Sequence, residues 1–390
     1  MSNRWAPVLA YSLVGASTQM LWLTFAPITT DAAEHYGVSN SAIGWLANVF
    51  PLLYVVLAIP AGIALDRSFR VALTFGAVLT AAGGLLRLGG DQYSTVLAGQ
   101  LLVAVAQPFV LNAITRVAGS YLAESDRPKG IALGSAGTFA GMVAAFLMGT
   151  VMGTRTLLVV QAAVAVVSAA ALTIALRAPE VDQRSTRASG FAAFRETWGD
   201  PFIRRLCMLV FVPFGAFISL TTWTEALLAP AGVSAEQAGI VLVVNVIVGV
   251  IGSGLVPVWA TKAHRELWVI TVGVAVTAAC CLALAFFPGF ALAVLAFTLI
   301  GFLLLPALPI VLELSERRFD ASEGAAAGLI WLAGNLGGLV VAGVVGVLVT
   351  HPAPAFLLMA AVVVIAIPLV GRLRTDVNAL PSIATGPPHV

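Results

Sequence analysis

Twelve long apolar runs, parted by short charged or glycine-bearing stretches, fill almost the whole sequence. Their extents predict helices over 6–29, 41–65, 71–90, 95–120, 129–153, 156–177, 202–228, 236–259, 267–287, 289–314, 322–349 and 354–371. A helix needs about 20 mainly apolar residues to cross roughly 30 Å of hydrocarbon, and these runs are of that order. Strands of a membrane barrel would be about ten residues long and alternate apolar with polar side chains. In lipid every backbone N–H and C=O must find its partner within the protein, which leaves helices as the fold for such runs. The expected class is an all-α membrane protein, with 12 transmembrane helices in two pseudo-symmetric six-helix bundles. A hydrophobic share of 60% with only 10% charged residues contrasts with about a quarter charged in soluble domains. That excludes a soluble enzyme, a nucleic-acid binder and a disordered scaffold.

With an even number of helices both ends share one side. Of the 20 lysines and arginines, all but Arg87 and Arg155 fall on that side. Basic loops stay in the cytoplasm, so both termini are expected there, with the chain in the cell (inner) membrane. One positive charge, Arg4, precedes the first apolar run and no small-residue cleavage site follows, so the first helix is read as retained. The longest polar interruption divides the chain into a first bundle, 1–177, a cytoplasmic linker, 178–201, a second bundle, 202–371, and a cytoplasmic tail, 372–390. Cys207, Cys280 and Cys281 sit in apolar runs with no histidine at ligand spacing. Neither zinc nor a disulfide is expected, and no cofactor. The expected partners are a small-molecule substrate and membrane lipid, with the chain as a monomer and no nucleic acid, since a net charge of +2 is too small to imply a polyanion.

The two halves share landmarks. Gly37-Val38-Ser39 recurs as Gly232-Val233-Ser234, an offset of 195 residues (232 − 37). At that offset Gly44 meets Gly239, Val49 meets Val244, Arg67 meets Lys262 and Arg70 meets Arg265, while Pro108 and Gly130 match Pro306 and Gly328 at 198. Parallel six-helix repeats about an axis along the membrane normal mark a secondary transporter, with its substrate site near the midplane between the halves.

The loop after the second helix reads Gly62-Ile-Ala-Leu-Asp66-Arg67-Ser-Phe-Arg70. It resembles the G-x-x-x-D-R-x-G-R-R signature between helices two and three of the major facilitator superfamily. Phe69 replaces the turn glycine, Val71 replaces the second basic residue, and the second-half copy, 260–265, keeps only basic residues. The resemblance covers essentially the whole chain and implies alternating access around a cavity lined by helices one, four, seven and ten. It implies too that Asp66, with Arg67 and Arg70, latches the cytoplasmic face when the other face opens. Arg116 and Glu313, at helix ends where the halves should meet, complete the expected gate. An exposed ion pair is worth about 0–1 kcal/mol, weak enough to break at every turnover. Ile43-Gly-Trp45-Leu, Tyr54, Ala106-Gln107-Pro-Phe-Val-Leu and Asn335-Leu-Gly-Gly look like the solute carrier 49, FLVCR-type branch. That branch implies an organic-solute carrier. Its first-helix cage tryptophan would fall near Gln19, with Trp22 a turn later, and its fifth-helix glutamine at or near Phe139.

Polar residues inside membrane spans are costly and functional by default. Gln19 and Trp22 share one face of the first helix, and Gln107 and Asn112 lie on the fourth. Asn48 and Tyr54 come from the second, Thr221, Thr222 and Trp223 from the seventh, and Trp331 and Asn335 from the eleventh. Each amide has a plainer reading as an interhelical hydrogen bond, worth about 0.6 kcal/mol on average. Glycines 130, 134, 137, 141, 149 and 153 stripe the fifth helix, and 324, 328, 338 and 346 the eleventh, faces that admit close packing or sliding. Drug–proton antiporters of the superfamily carry G-x-x-x-G-P in the fifth helix, whereas Gly137-Thr-Phe-Ala-Gly141 is not followed by proline. A proton carrier wants a buried carboxylate, because desolvation disfavours its charged form. Glu225 and Asp31, near the outer ends of helices seven and one, are the candidates for proton or cation coupling. The reading that follows is a transporter of a neutral or cationic organic solute, with proton-coupled drug or metabolite efflux through Glu225 or Asp31 as the alternative. A transporter-like sensor that does not translocate is the alternative of another class. With only four histidines and none placed for catalysis, an enzyme is not expected.

Overall fold

The computed structural model describes residues 4–123, 126–179, 191–316 and 323–378. Among them no strand occurs, and twelve helices are long and apolar enough to cross a membrane. The first six spans are built from α1 (Ala6–Trp22) with α2 (Thr29–Tyr36), α3 (Asn40–Arg67), α4 (Phe69–Leu86), α5 (Tyr93–Leu111) with α6 (Ile114–Tyr121), α7 (Arg127–Val151) and α8 (Thr154–Ala175). A short helix, α9 (Phe191–Gly199), lies within the expected linker and packs on the spans that follow. Those are α10 (Pro201–Leu228), α11 (Ala235–Lys262), α12 (Glu266–Phe286), α13 (Phe290–Leu304) with α14 (Ala307–Glu316), α15 (Glu323–Val347), and α16 (Pro352–Val364) with α17 (Ala366–Asn378).

The first span departs most from its expected extent. It was predicted to stop at residue 29, but it breaks after Trp22, passes through a tight 3-10 turn at Ala26–Ile28 and resumes as α2. Pro27 has no N–H to give to the helix ladder, and the Thr24 hydroxyl takes over the carbonyls of Met20 and Leu21. The fourth and tenth spans break as well, just after Pro108 and at Pro306.

The internal repeat extends to single hydrogen bonds. Gly37 and Gly232 both end their spans in the left-handed region, at φ 65° and 78°, where a glycine avoids the Cβ penalty. The N–H of Gly37 bonds Glu34 O as that of Gly232 bonds Ala229 O. Val38 bonds Ala33 as Val233 bonds Leu228. Ser39 then caps α3 through Ala42 N, and Ser234 caps α11 through Gln237 N. On the fifth and eleventh spans, Gly141 lies against the Ala16 backbone and Gly337 against that of Phe211, offsets of 196 (337 − 141) and 195 (211 − 16).

Where the halves touch sets the shape. Toward the face that carries the described ends of the chain, each half keeps its own core. One is built around Tyr11, Leu73 and Tyr121, the other around Phe202, Ile270 and Ile310. Toward the opposite face a single cluster runs across both, joining Trp22, Phe50 and Phe146 to Phe217, Trp223 and Leu242. The apolar core is thus continuous between the halves at the far face and divided between them at the termini face.

Candidate transport pathway and gates

At the far face the seam is held by Glu225. Its Oε2 accepts from the Thr30 N–H at 2.8 Å and from the Thr30 hydroxyl at 3.0 Å. Thr30 is the second residue of α2, whose own N-cap position, Ile28, supplies no side-chain acceptor. The first N–H groups of a helix lack intrahelical partners and carry a partial positive charge. A carboxylate from the other half fills that vacancy and caps α2 in trans. Glu225 is 2% exposed. Two residues back, Trp223 is fully buried, its indole N–H bonded to Ala342 O at 2.8 Å and its ring pressed on Gly44 of the first half and Gly346 of the second. Gly239 closes on Thr150 in the same way. Asp31, next to the gate, is exposed and lines a depression of about 650 Å³ with Thr150, Gly153, Thr154 and Glu236.

Below this closure lie the other candidates. Tyr54 and Asn112 are brought together: the tyrosine hydroxyl donates to Asn112 Oδ1 at 2.6 Å, and Asn112 Nδ2 donates to Ala58 O at 3.2 Å. Asn112 sits where the fourth span breaks, so the pair ties that break to α3. Trp22 does not present its N–H to the cavity, since it donates to Ala47 O at 3.0 Å while the ring packs 6.2 Å from Phe50. Gln107 is buried on α5. Asn335 turns its amide back on Trp331 O at 2.9 Å, leaving the Trp331 ring half-exposed and edge-on to Phe214 at 5.9 Å. Gln19 Oε1, both amide atoms of Asn48 and Thr222 Oγ1 are buried without a protein partner.

At the termini face three of the expected latch residues each make at least one bond within their own half. Arg116 donates to Leu65 O at 2.9 Å and lies 5.2 Å from the Phe69 ring. Arg70 donates to Ala178 O at 2.8 Å. Glu313 accepts from the Thr261 hydroxyl at 2.8 and 2.9 Å. Arg67 is exposed, and the Asp66 side chain lies outside the described positions. Glycines 324 and 328 begin α15; farther along the eleventh span Gly338 lies against Ile218 and Gly346 against Trp223, and Gly337, outside the expected stripe, makes the close approach to the Phe211 backbone, while the fifth-span stripe packs mainly on α1 inside its own half. The three cysteines are free and buried.

The sequence reading counted Arg87, near the outer end of the third expected helix (71–90), only toward topology and missed its role. The side chain is fully buried. Its Nη1 donates to Thr24 Oγ1 at 2.9 Å and Gln100 Oε1 at 3.2 Å, and its Nη2 donates to Gln161 Oε1 at 3.1 Å. Gln100 Nε2 in turn bonds Leu21 O and Leu46 O. Among the described residues no carboxylate pairs with this guanidinium, and its Nε and Gln161 Nε2 have no partner. The network grips the break in the first span from three neighbouring helices. Glutamines 100 and 161, polar inside apolar runs, were the available signal.

The model of the Major Facilitator Superfamily matches residues 8–342. Solute carrier family 49 member A3 of Danio rerio is 26% identical over 360 residues, 86% of this chain and 76% of that one. The choline/ethanolamine transporter FLVCR2 of Homo sapiens is 27% identical over 154 residues, 38% of this chain and 29% of its own. Among solved structures, a bacterial homologue of the human lysosomal transporter Spinster, inward-facing and unoccupied, superposes with a TM-score of 0.74 at 17% identity, over 98% of this chain and all of that one.

Proposed function

Because this chain belongs to the Major Facilitator Superfamily, and so is a secondary transporter working by alternating access, we propose that its cargo is a small organic solute, neutral or cationic, moved by facilitated diffusion or exchange. The observation that carries the reading is the uncharged polar and aromatic character of the region below the closed seam. The amides of Gln19, Asn48 and Gln107, the Tyr54–Asn112 pair and the Trp331 ring lie there. Buried amides without protein partners suit a ligand that hydrogen-bonds, and an exposed indole face suits an organic cation. Choline and ethanolamine, which the FLVCR2 relative carries by its name, are the first solutes to try. We read the basic face as cytoplasmic, on which placement the face with the divided core opens inward.

Proton-coupled efflux is the second reading, favoured by the burial of Glu225 in the seam. Counterflow in vesicles holding the purified chain separates the two. Labelled choline or ethanolamine should exchange without a pH gradient, and Gln107→Ala and Trp331→Ala should each lower exchange at least tenfold, about 1.4 kcal/mol. No exchange with either solute, together with gradient-driven flux of another compound that Glu225→Gln abolishes, would replace the first reading by the second.

A further inference from the structure

We propose that the groove between α11, α12 and the end of α13 is a binding site for an anionic diacyl phospholipid of the leaflet at the termini face. The groove holds about 300 Å³ and is lined by Leu255, Val256, Trp259, Trp268, Val272 and Phe302 among others, an almost wholly apolar surface. Trp259 and Trp268 stand at its mouth, about half exposed each, with ring centroids 6.2 Å apart and nearly edge to face. Each lies three residues from a basic side chain of the connecting turn, Trp259 from Lys262 and Trp268 from Arg265. Three residues of helix rise about 4.5 Å, the step from the boundary of the hydrocarbon to the headgroups. The Arg265 guanidinium lies 5.9 Å over the Trp268 ring, which places positive charge on the rim. Lys262 and Arg265 are both exposed, whereas the neighbouring acids are withdrawn: Glu266 is buried and Glu313 is bonded to Thr261. An acyl chain in the groove and a phosphate at Lys262 and Arg265 satisfy both parts of the surface.

The internal repeat supplies a control. The first half has the same basic pair, Arg67 and Arg70, so the charges alone follow from topology. At the positions of Trp259 and Trp268, however, it has Ala64 and a buried Leu73. The aromatic mouth therefore belongs to this groove and not to the repeat.

Native mass spectrometry of the full chain in detergent, titrated with dioleoyl phosphatidylglycerol and with dioleoyl phosphatidylcholine, tests the site. The anionic lipid should bind roughly 30-fold more tightly, about fivefold for each basic residue at the membrane surface. Lys262→Gln with Arg265→Gln should abolish that preference, Trp259→Ala should weaken both lipids, and Arg372→Gln with Arg374→Gln should leave the preference in place. Equal binding of the two lipids, or a preference that survives loss of Lys262 and Arg265, would overturn the proposal. A preference lost equally with Arg372 and Arg374 would assign it to the basic face at large and overturn it too. So would a dimer that Trp259→Ala dissociates and that neither lipid disturbs, because a second copy would then fill the groove.

Discussion

At the scale of single residues, burial decides what a polar side chain does. Arg87 is the extreme case. Removing a guanidinium from an apolar interior relieves a large desolvation cost, but here it would also strand acceptors. Gln100 Oε1 has Arg87 as its donor, and Gln161 Oε1 would keep only a share of the single Thr24 hydroxyl proton, which also serves the Met20 and Leu21 carbonyls. A buried acceptor left without a donor costs about 1–3 kcal/mol. Arg87→Leu should therefore lower the stability of the purified protein by about that amount, and adding Gln100→Leu should recover part of it. Thermal or denaturant unfolding in detergent measures both, and a single variant as stable as the parent would mean that desolvation outweighs the bonds. The sequence revealed that Glu225, Gln19 and Tyr54 are polar residues in apolar surroundings. It did not reveal their partners, because Thr30 lies 195 residues from Glu225 and Asn112 lies 58 from Tyr54. Nor did it separate an indole that stays exposed, Trp331, from ones already bonded to a neighbouring backbone, Trp22 and Trp223.

Among the elements, the twelve spans were legible because about 20 consecutive apolar residues admit few alternatives. Their breaks were less so. Pro27 and Pro306 give notice of an interruption, yet proline also sits inside unbroken helices at positions 51, 60, 213 and 257. What differs is the neighbourhood: at the first break Thr24 and Gln100 take freed carbonyls, and Arg87 holds both of those side chains. Glycine tells a similar story along α15. A methyl at Gly337 would run into the Phe211 backbone, which cannot swing aside, whereas one at Gly343 meets nothing within 4 Å. Gly337→Ala should cost about 1–3 kcal/mol by overpacking. Gly343→Ala should gain up to about 1 kcal/mol through helix propensity. Opposite shifts in unfolding midpoint from the same substitution on one helix would verify the contact, and shifts of the same sign would refute it.

For the whole molecule, the seam behaves as a lever with its closed end at Glu225, Trp223 and Gly44. Hydrogen bonds to a charged group are worth about 1.5–3 kcal/mol, so Glu225→Gln should move the balance between closed and opened far face by roughly tenfold or more. Spin labels at positions 153 and 236, across the seam on that face, should then show a longer separation, and labels at 67 and 262 a shorter one. An unchanged pair of distances would remove Glu225 from the gate. The trans cap has one more consequence. Thr30 and Glu225 occupy the same place in the two copies of the repeat, so their bond lies on the pseudo-twofold axis itself. A dimer of two identical halves would have to set the same side chain against itself there, carboxylate on carboxylate or hydroxyl on hydroxyl. Two copies joined in one chain are free of that constraint, and here the closure has an acceptor on one side and a donor on the other.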